Sequence, residues 1–270
     1  MSDDAVTARY SALHRLDSPA NRLIRDTIWG RENDVGQQSF ITPRYLDELA
    51  VRIGLGADDH LLDVGSGTGG PAVHIARRTG CRVTGIDVNA VGVDAGTALA
   101  ENAGLAARVA FHRGDAAEMP FADASFDAAL SMNVFNVFPD KRRVLAGLHR
   151  VLRPGGTWAF LSGTFGPMDD ATRTAMARGG RVPQHYDSLD GYRQMLGETG
   201  FVIEEITEYV ADFRVQMTRW HDAYVAHRAV VAAEEGDQQA DDHIAYFAAY
   251  LRLIDGGTAA NHLFITTRPA

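Results

Sequence analysis

The chain has 270 residues, 46% of them hydrophobic and 23% charged, which suits one large α/β domain with an accessory element and leaves no apolar run long enough for a membrane span. Asp and Glu outnumber Lys and Arg 35 to 26, for a formal net charge of -9, so the surface repels polymeric nucleic acid and a small-molecule partner is expected instead. The single cysteine, Cys81, rules out an internal disulfide and any multi-thiolate metal site.

The opening Met1-Ser2-Asp3-Asp4 is acidic and lacks the basic-then-apolar order of a signal peptide, so a cytoplasmic location is the expectation. The first fifty or so residues read as helical and loop-like. From residue 60, apolar runs alternate with helical patterns, the signature of βαβ units and a parallel sheet. Strands are predicted at His60–Val64, Arg82–Asp87, Val109–Arg113, Phe126–Ser131 and Thr157–Ser162. Helices are predicted at about 70–79, 91–103 and 140–151, the last stopped by Arg153-Pro154-Gly155-Gly156. The final third reads as a helix at 188–199, a strand near Phe201–Val210, helices over 213–235 and 238–255, and a last strand at Asn261–Thr267.

The strongest motif is Leu61-Leu62-Asp63-Val64-Gly65-Ser66-Gly67-Thr68-Gly69-Gly70. Glycines between a strand and a helix let the backbone approach a nucleotide-like ligand, and the helix start offers free amides. Gly65, Gly67 and Gly70 also fit the dinucleotide fingerprint, which by itself is unspecific. Two acids narrow the reading. Asp87 closes the second strand, where a carboxylate can accept two ribose hydroxyls. Asp115 closes the third, within reach of an adenine amino group. Asp63 stands where it can hold an ammonium through the loop. An ammonium, a ribose and an adenine in line describe S-adenosylmethionine better than NAD.

Residues 60 to 165 thus resemble the core of the class I S-adenosylmethionine-dependent methyltransferases: the glycine loop, Asp87, Gly114-Asp115-Ala116 and Leu152-Arg153-Pro154-Gly155-Gly156 follow in order. The flanks Thr27–Gly36 and His185–Arg193 resemble those of the glycine, sarcosine and dimethylglycine N-methyltransferases. The resemblance implies a Rossmann-like, doubly wound, seven-stranded mixed sheet with its last strand antiparallel, under a helical cap. It divides the chain into a lid (1–55), a cofactor-binding core (56–210), a cap insert (211–258) and a final strand (259–270). The cofactor is S-adenosyl-L-methionine, the product S-adenosyl-L-homocysteine, and no metal is expected. Asp63, Gly65, Gly67, Gly69, Asp87, Val88, Asp115, Ala116 and Asn133 are the implied cofactor contacts. Tyr10, Trp29, Gln37, Phe135 and Asn136 are the implied substrate and lid residues, with His14 in a similar role. A homodimer is compatible with this family.

The acceptor is expected above strands four and five, beside Ser131–Asp140. The amine methyltransferases usually carry acids near Asn133 and Ser162 and a histidine near Asn136-Val137, and this chain carries none of them. Val134, Phe135, Val137 and Phe138 suggest a larger, less charged acceptor, unless the phenylalanines are core. His185 and then Tyr186 are the candidate bases, because both precede the helix that borders the pocket. No His, Asp and Glu have metal-ligand spacing. Arg193, Arg214 and Arg219 suit an acidic acceptor group or plain solvent. The leading expectation is N-methylation of a small, secondary-type metabolite. O- or C-methylation of a phenol, sugar or isoprenoid-like acceptor, an NAD-dependent oxidoreductase and a non-catalytic S-adenosylmethionine-binding protein remain the alternatives.

Overall fold

The computed structural model describes residues 11, 14, 18–37, 39, 41–179 and 184–270. Tyr10 lies outside them. Among the described residues seven strands form one sheet: β1 His60–Val64, β2 Arg82–Asp87, β3 Val109–Arg113, β4 Phe126–Met132, β5 Leu152–Phe165, β6 Val202–Glu208 and β7 Ala259–Thr267. Their order is β3-β2-β1-β4-β5-β7-β6, with β7 antiparallel to both neighbours. The expected mixed, doubly wound sheet is therefore present.

Successive strand residues point to opposite faces, so the apolar runs must be covered on both sides. Leu62, Ala129, Phe160 and Phe264 join one apolar cluster, while Leu61, Ala128, Leu161 and Leu263 join another. Covering these faces and the sheet edge are α1 Pro19–Ile28, α2 Gly30–Asn33, α3 Pro43–Arg52, α4 Gly70–Thr79, α5 Ala90–Asn102, α6 Lys141–Val151, α7 Asp170–Gly179, α8 Leu189–Glu198, α9 Val210–Ala226, α10 Arg228–Glu235 and α11 Asp237–Asp255. Short polar side chains set where helices begin. Asn89, Asp140 and Ser188 accept the backbone N–H of Gly92, Arg143 and Gly191 at 3.1, 3.1 and 3.0 Å.

Three elements differ from the sequence reading. β5 begins at Leu152, not Thr157, because Arg153–Gly156 bulges out between the Phe126–Leu152 and Ala128–Thr157 pairs. The end of β7 holds that bulge: the Gly155 N–H donates to the Arg268 carbonyl at 2.8 Å, and the Arg268 N–H to Gly156 at 2.9 Å. The single helix expected over 213–235 breaks at His227, whose Nε2 meets Thr27 Oγ1 of α1 at 2.8 Å. Helix α7 was not foreseen, since only Met176 and Gly179 of its residues are buried.

A third cluster, from α1, α7, α9 and α11, buries Trp29, Phe213, Trp220, Tyr224, Phe247 and Tyr250. Trp29 is 4% exposed inside it, so this expected substrate contact is a core residue. Among the described residues, no helix is long and apolar enough to cross a membrane.

Candidate functional site

Strand β1 lies between β2 and β4, the point where the winding of the sheet reverses. In open α/β sheets that reversal leaves a crevice at the carboxyl ends of the strands. A cavity occupies it, floored by Asp63, Gly65, Ser66 and Gly67, walled by Asp87, Met132, Asn133 and Val134, and roofed by Gly36, Gln37 and residues of α9 and α11.

The glycine loop is shaped by close approach. Gly65 has φ +73°, and any Cβ there would run into Val134. The Gly65 and Ser66 N–H groups both donate to the Ile86 carbonyl, at 2.8 and 3.1 Å, which ties the turn to β2. Asp87 at the end of β2 is held twice: Oδ2 accepts the Gly67 N–H at 2.9 Å and Oδ1 the Asn89 N–H at 2.8 Å. Each oxygen keeps a lone pair for a hydroxyl.

Asp63 is 4% exposed. Burial, and then the nearby Asp87 charge, push its carboxyl up to about 7. A fixed cation in the cavity would remove that penalty. Asn133 holds a left-handed backbone (φ +56°) just beyond β4, anchored by its N–H to the Leu161 carbonyl at 2.8 Å. Its Oδ1 and the Ser66 Oγ are buried and without hydrogen-bond partners. A strained carboxyl, an oriented carboxylate and two orphaned polar atoms complement a ligand that brings a cation and hydroxyls. These residues fit the S-adenosylmethionine that the sequence resemblance implies.

Four of the expected cofactor contacts are not on the cavity wall. Gly69 faces Phe111, and Val88 is 59% exposed. Ala116 packs in the sheet core. Asp115 uses Oδ1 to accept the Ala117 N–H at 2.8 Å, capping the Ala116–Glu118 turn. Among the described residues, no group of three His, Cys, Asp or Glu is placed to hold a metal ion.

The part of the cavity lined by α9 and α11 is aromatic. Trp220 of α9 and Phe247 of α11 stack with ring centroids 5.5 Å apart, beside Tyr246 and Tyr250. His243 on α11 also reaches it, with Nε2 2.9 Å from Glu235 and Nδ1 3.1 Å from the Gly179 carbonyl. Both ring nitrogens are thus engaged with protein acceptors. The aromatic wall was missed because Trp220, Tyr246, Phe247 and Tyr250 sit at helical spacing that reads equally as core. His14, on the polar side, hydrogen-bonds Asn89 Oδ1 at 3.2 Å.

Neither candidate base lies on the cavity wall. His185 is exposed and off the cavity wall. Its backbone is what matters: its N–H donates to the Asn136 carbonyl at 2.6 Å, and its carbonyl accepts Lys141 Nζ at 2.5 Å. Tyr186 packs on Phe165, ring centroids 4.0 Å apart, and burial holds its phenol well above the usual value. It stays neutral.

Asn136 does line the cavity, where its Nδ2 donates to Gln184 Oε1. Phe135 does not. It is fully buried, 5.2 Å from Trp158 and 5.3 Å from Phe160, because the turn after β4 sends Val134 and Val137 to the cavity and Phe135 to the sheet. Gln37 lines the cavity, but its side chain is spent on the loop it belongs to, donating to Asn33 and Ile41 carbonyls at 2.9 and 3.1 Å. Arg193 and Arg214 pair with Asp190 and Asp255 at the surface.

A methyltransferase-domain family model matches residues 62–160. The 27-O-demethylrifamycin SV methyltransferase of Amycolatopsis mediterranei (strain S699) is 33% identical over 199 residues, 68% of this chain and 72% of that protein. The O-methyltransferase resE of Aspergillus sclerotiorum is 35% identical over 209 residues, 76% of this chain and 77% of that protein. In fold, the chain matches geranyl diphosphate C-methyltransferase from Streptomyces coelicolor A3(2), crystallised with S-adenosyl-L-homocysteine. The TM-score is 0.73 at 17% identity, over 99% of each chain.

Proposed function

Since the chain belongs to the class I S-adenosylmethionine-dependent methyltransferases and acts on small molecules, we propose that it methylates an acidic hydroxyl, phenolic or enolic, on an uncharged and largely apolar acceptor. The observation that carries this reading is the far wall of the cavity. It is built from Trp220, Tyr246, Phe247 and Tyr250, with no carboxylate on it among the described residues. A flat, weakly polar acceptor gains by desolvation against such a wall.

Asp63 would hold the cofactor's ammonium and Asp87 its ribose hydroxyls, with Ser66 and Asn133 supplying the remaining polar contacts. Bound there, the cofactor supplies an electrophilic methyl group on a sulfonium. The protein's part is to align the acceptor oxygen and exclude water, which can accelerate a displacement by many orders of magnitude without a strong base. Tyr186 and Tyr250, whose phenols burial holds neutral, can donate hydrogen bonds but do not take a proton at ordinary pH. The histidine at the aromatic end is engaged on both nitrogens. An acceptor that ionises readily by itself suits this site. The lid and cap expected at 1–55 and 211–258 lend Gly36, Gln37, Trp220 and Phe247 to its lining.

N-methylation is the second reading. The aromatic faces favour it as well, since they attract an ammonium, and so does the lid resemblance to amine methyltransferases. Incubation with S-adenosylmethionine and matched phenolic and amine acceptors separates the two. S-adenosylhomocysteine forming only with phenols, with an O-methyl product by NMR, supports the first reading. Turnover confined to amines overturns it.

A further inference from the structure

The loop between α2 and α3 is folded around two side chains. Arg25 of α1, 5% exposed, donates through Nε to Asp34 Oδ2 at 2.9 Å and through Nη1 to the Gln37 carbonyl at 2.8 Å, and its second arm also pairs with Asp34. Asp34 in turn accepts the Gly36 N–H at 2.8 Å, and Gln37 Oε1 the Val35 N–H at 2.9 Å. The guanidinium therefore fixes both ends of the four-residue segment Asp34–Gln37.

That segment rests on the glycine loop. Thr68 Oγ1 donates to the Gly36 carbonyl at 2.6 Å. The Val35 carbonyl sits where a Cβ on Gly70 would be, so only glycine at that position lets the two loops meet. On one side, Gly36 and Gln37 line the ligand cavity. On the other, Arg25, Asp34, Val35 and Gly36 line a second, outward groove between α1, α4 and α5. Gly36 and Thr68 belong to both. A wall one loop thick, held by a single buried cation, separates the cofactor cavity from the exterior groove.

We infer that Asp34–Gln37 is the gate through which the cofactor and its product pass, and that Arg25 is the positioning residue that latches it shut. This rests on the cofactor reading above. Removing one partner of a buried ion pair leaves the other uncompensated, so loss of the guanidinium releases the segment as a unit. Arg25 touches no reacting atom. It acts through Gln37 and Gly36, setting the residence time of whatever lies beneath them.

The probe is S-adenosylhomocysteine, followed by stopped-flow tryptophan fluorescence, with amide hydrogen exchange of residues 33–41 read in parallel. Arg25→Gln removes the latch, and Gly70→Ala pushes the Val35 carbonyl away without touching Arg25. Both variants are expected to release the ligand at least tenfold faster, with faster exchange confined to 33–41. Faster exchange with release within twofold of the unaltered protein places the ligand's route elsewhere and overturns the gate. Unchanged exchange in both variants overturns the latch. Absence of binding to the unaltered protein removes the cofactor reading and the gate with it. If Arg25→Gln does not fold, Gly70→Ala decides alone.

Discussion

Asp63 and Asp87, one from each of two paired strands, face the same cavity, and the charge on Asp87 adds to burial in resisting ionisation of Asp63. The folded state thus binds a proton that the unfolded chain releases near 3.8, and keeps it to about 7. For an acid shifted upward, stability is highest below the unfolded value and falls as pH rises toward the folded one. At 1.36 kcal/mol per pH unit the whole shift amounts to about 4 kcal/mol. Asp63→Asn should therefore raise the melting temperature of the ligand-free protein at pH 8 and leave it nearly unchanged at pH 4. Equal shifts at both values would assign the effect to packing.

An ammonium placed beside Asp63 reverses that sign. S-adenosylhomocysteine should bind more tightly as pH rises through 7 and should release a proton on binding below it. Calorimetry in buffers of different ionisation enthalpy measures the proton directly. Asp63→Asn should abolish the release.

Asp87→Ala removes the acceptor of the Gly67 and Asn89 N–H groups as well as the proposed ribose contact. Affinity for S-adenosylhomocysteine should drop by about 1–3 kcal/mol. An unchanged dissociation constant would take Asp87 out of the ligand site.

Phe247→Leu keeps the far wall apolar but removes its stacking partner for Trp220. The KM for a phenolic acceptor should rise about tenfold, while S-adenosylhomocysteine affinity stays within twofold. His185→Ala should leave the pH profile of kcat in place, since its imidazole is off the cavity wall. A lost basic limb would restore His185 as the base.

What the sequence disclosed follows from how local each signal is. The glycine loop, Asp63, Asp87 and β1–β3 were legible because strand, turn and acid lie within one βαβ unit, where spacing alone sets geometry. Asn133 was legible as a cavity residue for the same reason, immediately past the end of β4. Phe135, two residues further on, was not: which way a residue faces in the short turn after a strand is decided by packing, and Phe135 found Trp158 and Phe160. The acceptor wall was hidden by an ambiguity of period. Trp220 and Phe247 repeat as any buried helix face does, and only the tertiary arrangement exposes one edge of that face to a cavity. His185 is a different case. The segment was located correctly, but its backbone, not its imidazole, makes the contacts to Asn136 and Lys141.

Strand β7 follows β6 in the chain, yet it lies between β5 and β6, and among the described strands β6 pairs with it alone. A nascent chain that stops short of Ala259 therefore holds β6 with no strand to pair with, and leaves one edge of β5 open to other chains. The sheet cannot seal until β7 is in place, so a chain that lacks it should yield aggregate rather than a weakened enzyme.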